Sequence, residues 1–315
     1  MAAIRIEGLH KRFGEVRALE GLTLEVEPGA VFGFLGPNGA GKTTTIRILA
    51  GLARADGGRA WVDGVEVAFR AANRHQVARR IGYLPQEPAF YPWMTARELL
   101  DYVGRVFGLT ASEREARTGE LLELVGLEEA ARRRVGGFSG GMRQRLGLAQ
   151  ALVNRPRVLF LDEPVSSLDP AGRKELLLLI ERLRGNCTVF MSTHILADVE
   201  RVCDTVGIVN RGKLITEAPQ AELIARYATP AFEVEAGNGQ SGPLGAWADG
   251  LRASKWVESV VVVGRTARVL VSDVETARRE LLASVVQSGL ALTRYEMVRP
   301  SLEDVFLKLV NGEEA

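Results

Sequence analysis

The spacing of apolar positions changes several times along this 315-residue chain, and each change marks an element. Ile4-Arg5-Ile6-Glu7 alternates with the two-residue period of a half-buried strand, and Leu22, Leu24 and Val26 repeat it in a second strand over 18–26. The stretch 11–15 between them reads as a turn, and Glu27-Pro28-Gly29 as another. The runs 30–35 and 158–161 are apolar without interruption, as in strands buried on both faces. Further strands are expected at 60–65, with its turn, at 81–86, which Pro85 ends, and at 188–193. Between Gln86 and the glycines near 140 the period becomes helical, at Leu99, Leu100, Val103, Val106 and Phe107 and again at Leu121, Leu122, Leu124, Val125 and Leu127. Helices are also expected over 44–52, from the 140 region through Leu152, over 171–183 and over 219–227, and a hairpin around Asn210-Arg211-Gly212.

Beyond 227 the pattern restarts on a smaller scale. The glycine-rich stretch 236–243 reads as a linker or loop. Strands are expected near 231–235, 257–263, 267–271 and 291–297, with helices over 274–287 and 302–309. The chain therefore divides into an α/β domain over 1–227, with a mainly helical subdomain inserted at about 87–150, and a small α+β domain over 228–315 that carries no catalytic constellation.

Composition narrows the class. Lys+Arg 40 against Asp+Glu 39 leaves no broad basic surface, so no nucleic-acid partner is expected, and Arg132-Arg133-Arg134 reads as a solvated helix end. No stretch reaches the ~18 apolar residues of a membrane span, and no apolar segment of a secretory signal follows the first residues. Cys187 and Cys203 lack metal-ligand spacing and are expected as reduced, buried thiols.

The chemistry concentrates where apolar strands end. Gly36-Pro37-Asn38-Gly39-Ala40-Gly41-Lys42-Thr43-Thr44 fits the phosphate-binding pattern G-x-x-x-x-G-K-[ST], between a strand and a helix as that pattern requires. Its glycines let backbone N–H groups close on an anion, at the positive end of the following helix. Lys42 is a mobile cation for the β- and γ-phosphates, and the Thr43 hydroxyl is a hard ligand suited to Mg²⁺. Asp162 and Glu163 end the strand over 158–161, one suited to hold Mg²⁺ and the other to polarise water. Gln86 leaves a strand end and can reach Mg²⁺ or the attacking water. His194 lies at the same kind of edge, where a doubly wound sheet collects its ligand groups, within reach of a γ-phosphate. Phe13, with Val16 beside it, offers a flat ring for adenine or an ordinary packing residue. Ser139-Gly140-Gly141 opens a helix, where Ser139 serves as an N-cap or as part of a second anion site. The run Phe90-Tyr91-Pro92-Trp93-Met94-Thr95 is a docking surface or local core packing.

Taken in order, Phe13, the 36–44 loop, Gln86, Ser139-Gly140-Gly141, Asp162 with Glu163, Ser167-Leu168-Asp169 and His194 resemble the A-loop, Walker A, Q-loop, signature, Walker B, D-loop and H-loop of an ABC transporter ATP-binding subunit. The resemblance covers about the first two thirds of the chain. Two positions depart from it. The signature reads Phe-Ser-Gly-Gly-Met in place of Leu-Ser-Gly-Gly-Gln, and the A-loop carries Phe13 in place of Tyr, which keeps the stacking face. The ending Pro300-Ser301-Leu302-Glu303-Asp304-Val305-Phe306 resembles the C-terminal extension of ABC-2-type exporter ATPases, the drug-resistance and sodium-extrusion-like group. The resemblance implies a P-loop NTPase of ABC type: a RecA-like core with an antiparallel β-subdomain and an inserted helical subdomain. It implies an ATPase using ATP and Mg²⁺, with Thr43, Gln86 and Asp162 at the metal and Glu163, Gln86 and His194 in the reaction. It implies a homodimer in which Ser139, Gly140, Gly141 and Asp169 of one copy meet the nucleotide of the other. A separate transmembrane permease would hold the dimer at the inner face of the cell membrane and drive export. The alternative within the family is an ATPase that acts on ribosomes or DNA; such proteins usually carry two cassettes or a long coiled-coil insertion, and neither is visible here.

Overall fold

The alternation at the start of the chain runs well past Glu7. In a computed structural model that describes residues 1–68, 71–227, 230–298 and 302–311, strand β1 (Ile4–Phe13) pairs antiparallel with β2 (Val16–Val26). Ile4 stands opposite Val26 and Phe13 opposite Val16. The expected turn over 11–15 thus shrinks to Gly14 and Glu15, and Phe13 ends a strand instead of sitting in a turn. Next come the apolar strand β3 (Val31–Leu35), helix α1 (Lys42–Leu49), β4 (Gly57–Val62) and β5 (Val65–Glu66). β1, β2, β4 and β5 form one antiparallel sheet in the order β2-β1-β4-β5.

Helix α2 (Ala71–Arg80) was not expected: its sequence is polar, and Val77 is its one buried apolar side chain among the described residues. It leads into β6 (Ile81–Leu84). The helical insertion follows as α3 (Ala96–Val106), α4 (Ala111–Leu124) and the start of α5 (Gly140–Leu152). Thr95 with Glu98 and Thr110 with Glu113 form capping boxes that start α3 and α4, each satisfying helix N–H groups that have no partner within the helix. The aromatic run before α3 lies at the surface. Tyr91 is 49% and Trp93 67% exposed, and their rings sit 5.2 Å apart.

The remaining elements of this unit are β7 (Val158–Asp162), α6 (Pro170–Arg182), β8 (Thr188–Thr193), α7 (Leu196–Val202), β9 (Thr205–Asn210) and β10 (Lys213–Pro219). They complete a second sheet in the order β10-β9-β3-β8-β7-β6, parallel except for β10. β3, β7 and β8 are buried along their whole length. Phe190 lies 5.2 Å from the ring centroids of both Phe32 and Phe34 and 5.9 Å from that of Phe160. This aromatic cluster is continuous with Ile46, Ile48 and Leu49 of α1 and with Ile4, Ile6 and Leu22 of the antiparallel sheet, so a single core seats α1 between the two sheets. The β9–β10 turn also reaches the segment after β3. Gly212 donates to the Ala40 carbonyl at 3.1 Å and accepts from the Glu20 amide at 2.9 Å. Its φ is +77° and a Cβ would lie 2.8 Å from the Ala18 carbonyl oxygen, so the latch requires glycine.

The chain divides into two units, Met1–Gln220 and Ala221–Ala315, one short helix earlier than the boundary expected at 227. Helix α8 (Gln220–Tyr227) opens the second, followed by β11 (Ala231–Ala236), α9 (Ser241–Leu251), β12 (Val257–Val263), β13 (Thr266–Val271), α10 (Val274–Ser288), β14 (Leu292–Val298) and α11 (Leu302–Asn311). The sheet is antiparallel, in the order β12-β13-β11-β14. The supposed linker over 236–243 gives way to α9 at Ser241. Leu244, Trp247, Ala248 and Leu251 of that helix pack with Phe232 and Val234, which outweighs its glycines and proline. Pro300 and Ser301 of the family-like ending lie outside the described residues. Among the described residues, no helix is long and apolar enough to cross a membrane.

Phe190 touches three other rings, so Phe190→Ala should lower the unfolding free energy by about 3 to 5 kcal/mol, measured by urea denaturation. A loss below about 1 kcal/mol would mean that the cluster is not the centre of this core.

Candidate functional site

Parallel order places the carboxyl ends of β3, β8 and β7 side by side, and the polar side chains gather at that edge. The loop after β3 is anchored by its glycines. A Cβ on Gly36 would meet the Val209 carbonyl oxygen at 2.3 Å. Gly41 has φ +102°, and a Cβ there would meet the Ala18 carbonyl oxygen at 2.5 Å. The Gly36 amide donates to the Thr193 carbonyl at 3.3 Å, tying the loop to β8, and Ala40 N–H closes a turn onto Pro37 at 3.2 Å. Lys42 folds back into this loop. Its Nζ donates to the carbonyls of Gly36 at 2.7 Å and Pro37 at 3.1 Å, and lies 3.3 Å from Glu163 Oε1.

The acids meet the loop from β7. Asp162 Oδ1 accepts from Thr43 Oγ1 at 3.0 Å and from Ser192 Oγ at 2.8 Å. Glu163 follows with φ +48°, a left-handed conformation that a Cβ-bearing residue adopts only when its surroundings hold it there. Its N–H donates to both the carbonyl and the hydroxyl of Ser192, each at 3.1 Å, and its Oε2 is 2.9 Å from His194 Nδ1. Glu163 thus stands between a cation and an imidazole. Ser192, one of three hydroxyl residues in the fully buried strand β8, was missed in the sequence; a buried polar side chain that needs a partner is the signal that could have exposed it. The Asp162 charge reaches Tyr83 on β6, whose phenol is pushed up chiefly by burial and further by that carboxylate.

A cleft of about 350 Å³ opens over these groups. Asn38, Gly39, Gly41, Lys42, Thr43 and Thr44 line it together with Gln86, Glu163 and His194, and with Val16 and Ala18. Asp162 joins through Thr43. Gly36, Pro37 and Ala40 support the loop from behind, and Phe13 is not among the lining residues. Phe13 is 53% exposed, with the Lys11 ammonium 5.0 Å from its ring centroid.

The other expected residues stand elsewhere. Ser139 Oγ accepts from Met142 N–H at 3.2 Å and caps α5, which Gly140 and Gly141 begin. Asp169 caps α6 through Gly172 N–H at 3.1 Å. None of the four lines the cleft. Among the described residues no group of three His, Cys, Asp or Glu side chains could cage a metal. A hydroxyl and one carboxylate 3.0 Å apart beside a phosphate loop nevertheless suit Mg²⁺, which takes one or two carboxylates and completes its octahedron with water and phosphate.

Comparison with known proteins gives the same picture over the whole chain. Residues 19–166 match the ABC transporter family, and residues 220–310 match the ATP-binding protein DrrA1-3-like, C-terminal domain. The chain is 41% identical over 309 residues to the uncharacterized ABC transporter ATP-binding protein YxlF of Bacillus subtilis, covering 98% of this chain and 100% of that one. It is 38% identical over 316 residues to the daunorubicin resistance ATP-binding protein DrrA3 of Streptomyces coeruleorubidus, covering 99% and 96%. Among solved structures, the dimeric structure of MJ0796, a bacterial ABC transporter cassette, matches with a TM-score of 0.63 at 25% identity, covering 69% of this chain and 98% of that one.

Ser192→Ala removes the donor to Asp162 and one of two acceptors for the Glu163 amide. The variant should lose about 1 to 3 kcal/mol of stability in urea denaturation, because a buried carboxylate is left under-bonded. Unchanged stability would mean that other groups hold both acids.

Proposed function

Because the chain belongs to the ABC transporter ATP-binding proteins of the drug-resistance exporter type, we propose that it drives export of a small molecule through a separate membrane permease, closing as a homodimer on ATP and opening on hydrolysis. It is an ABC ATPase with the P-loop fold and a DrrA-like C-terminal domain, and it couples ATP hydrolysis to transport. The direction of transport and the drug-like cargo are supported by relatives named for daunorubicin resistance. The DrrA-like domain, matched over residues 220–310, shows no catalytic constellation among the described residues and is assigned to docking or dimer control.

One observation carries the mechanism. A single chain presents two helix starts suited to anions, yet only one of them lines the cleft that holds Lys42 and Glu163. Two copies related by a two-fold axis would complete both sites, each supplying Ser139, Gly140, Gly141 and Asp169 to the other's nucleotide. A dimeric cassette of the same fold supports this reading. Lys42 and the amides of the 36–44 loop bind the phosphates, and Phe13 and Val16 offer apolar surface to the base. Thr43, Asp162 and Gln86 are the oxygen donors that would hold Mg²⁺, which when bound would neutralise phosphate charge.

Lys42 is paired with Glu163. A triphosphate carries more charge than one carboxylate and takes Lys42 for itself, which releases Glu163 to a water molecule. Glu163 then accepts the proton as that water attacks the γ-phosphorus and the bond to the β-phosphate oxygen breaks. His194 fixes the carboxylate of Glu163 and faces the γ-phosphate, and Gln86 helps to place the water. In this arrangement the protein lies at the inner face of the membrane, bound to the permease.

Glu163→Gln keeps the phosphate loop and Asp162, so Mg–ATP should still bind while hydrolysis slows on the order of a hundredfold or more. In sizing chromatography with Mg–ATP the variant should run as a dimer. Adding Ser139→Arg should return it to a monomer, because the new side chain would occupy the space of the other copy's γ-phosphate. A monomeric Glu163→Gln at high protein concentration, or a double variant that dimerises equally well, would exclude the shared site.

A further inference from the structure

Outside the phosphate cleft, one carboxylate is buried against a half-buried arginine with no evident gain in stability. Asp198, in the first turn of α7, is 1% exposed. Its Oδ1 accepts from Arg173 Nε at 2.7 Å, while its Oδ2 is buried without a partner among the described residues. Two apolar side chains of similar volume generally serve a helix–helix contact at least as well as a half-satisfied ion pair. Arg173 is also poorly placed for its own helix. It lies in the first turn of α6, where the macrodipole favours anions, although Asp169 and Pro170 make that start sound in every other respect.

The position of the pair suggests what it does. α6 begins directly behind Ser167-Leu168-Asp169, and the Arg173 amide donates to the Asp169 carbonyl at 2.9 Å. α7 begins just behind His194, and the Asp198 amide donates to the Ile195 carbonyl at 3.2 Å. Each member of the pair therefore sits one helical turn beyond a loop that bears a site residue. The two helices pack against each other, and Arg173–Asp198 is a direct charged link between their starts.

We propose that Arg173 and Asp198 are positioning residues for ATP hydrolysis: their contact sets the start of α7 against the start of α6, and so links the place of the 167–169 turn to the placement of His194 on Glu163. The inference rests on His194 and Glu163 acting at the γ-phosphate, as proposed above. It adds an input, since a copy bound against the 167–169 turn would move α6 and, through the pair, the imidazole. A shift of about an ångström in a group that orients a catalytic base is enough to change a rate on the order of tenfold to a hundredfold.

The test uses the full chain, with ATPase kcat, KM and thermal midpoint measured on each variant. Asp198→Asn keeps the shape of the side chain and removes its charge; kcat should fall on the order of tenfold with KM within about twofold of wild type. Arg173→Met combined with Asp198→Leu restores packing, so its thermal midpoint should match or exceed wild type while kcat stays low. In a His194→Ala background, Asp198→Asn should cause no further loss, because both act through one imidazole. A doubly apolar variant with wild-type kcat would overturn the proposal, as would losses that multiply in the His194→Ala background, or failure of both pair variants to fold. If His194→Ala alone leaves kcat unchanged, the reading of the cleft fails instead, independently of the pair.

Discussion

A buried ammonium organises the catalytic edge. Lys42 is only 5% exposed, and a charge so placed must be met by partners fixed in advance. Two of them are carbonyls of its own loop, and the third is the carboxylate of Glu163, which is itself buried. Glu163 reaches that position from the far side of β8, and so the sheet order β3-β8-β7 is what brings the opposite charges together. The cost is a left-handed residue at the end of β7. Ser192 on the intervening strand offsets it, holding the Glu163 amide and Asp162 with a single hydroxyl. Loop, middle strand and acidic strand are thus one electrostatic unit, poised to exchange its internal ion pair for a phosphate.

The two readings of Ser139 turn out to be compatible. Its oxygen accepts from Met142 N–H, which is the capping role. A hydroxyl that accepts in this way still has its own proton to donate outward. The amides of Gly140 and Gly141 lie in the first turn of α5, where no carbonyl of the helix reaches them. A Cβ on Gly140 would meet nothing within 4 Å, so the approach to this turn is open within the chain. The cap organises the turn, and the organised turn is what an anion would meet.

Legibility in the sequence followed the strength of local signals. The phosphate loop carries its own glycines and lysine, and β8 and β12 lie over the spans expected from their apolar runs, since strands so rich in β-branched and aromatic residues have few alternatives. Two helices were lost for opposite reasons. α2 exposes nearly all its side chains and leaves no apolar stripe to count, whereas α9 hides its stripe behind Gly242, Pro243 and Gly245 and becomes a helix through packing. Phe13 was placed in a turn because Lys11 and Arg12 interrupt the alternation, yet hydrogen bonding to β2 carries the strand through them. The site residues were found by type. Ser192 escaped because its importance lies in which two backbone-distant groups it joins, which only the register of β7 and β8 reveals.

The latch at Gly212 has a bearing on how the chain is made. The loop that cradles phosphate lies near residue 40, but its Ala40 carbonyl is held by an amide from the β9–β10 turn, and β3 itself is flanked only by β8 and β9. A chain emerging from the ribosome amino end first therefore displays the wholly apolar strand Val31–Leu35 long before either neighbour exists. Contacts of such sequence separation form late and slowly. Nucleotide gains its full site only late in synthesis, since His194 of the cleft and the Gly212 latch on the loop belong to the last segments of the unit to be made. Protection of that strand during translation falls to the early β1–β2 hairpin and to whatever holds nascent chains in the cell.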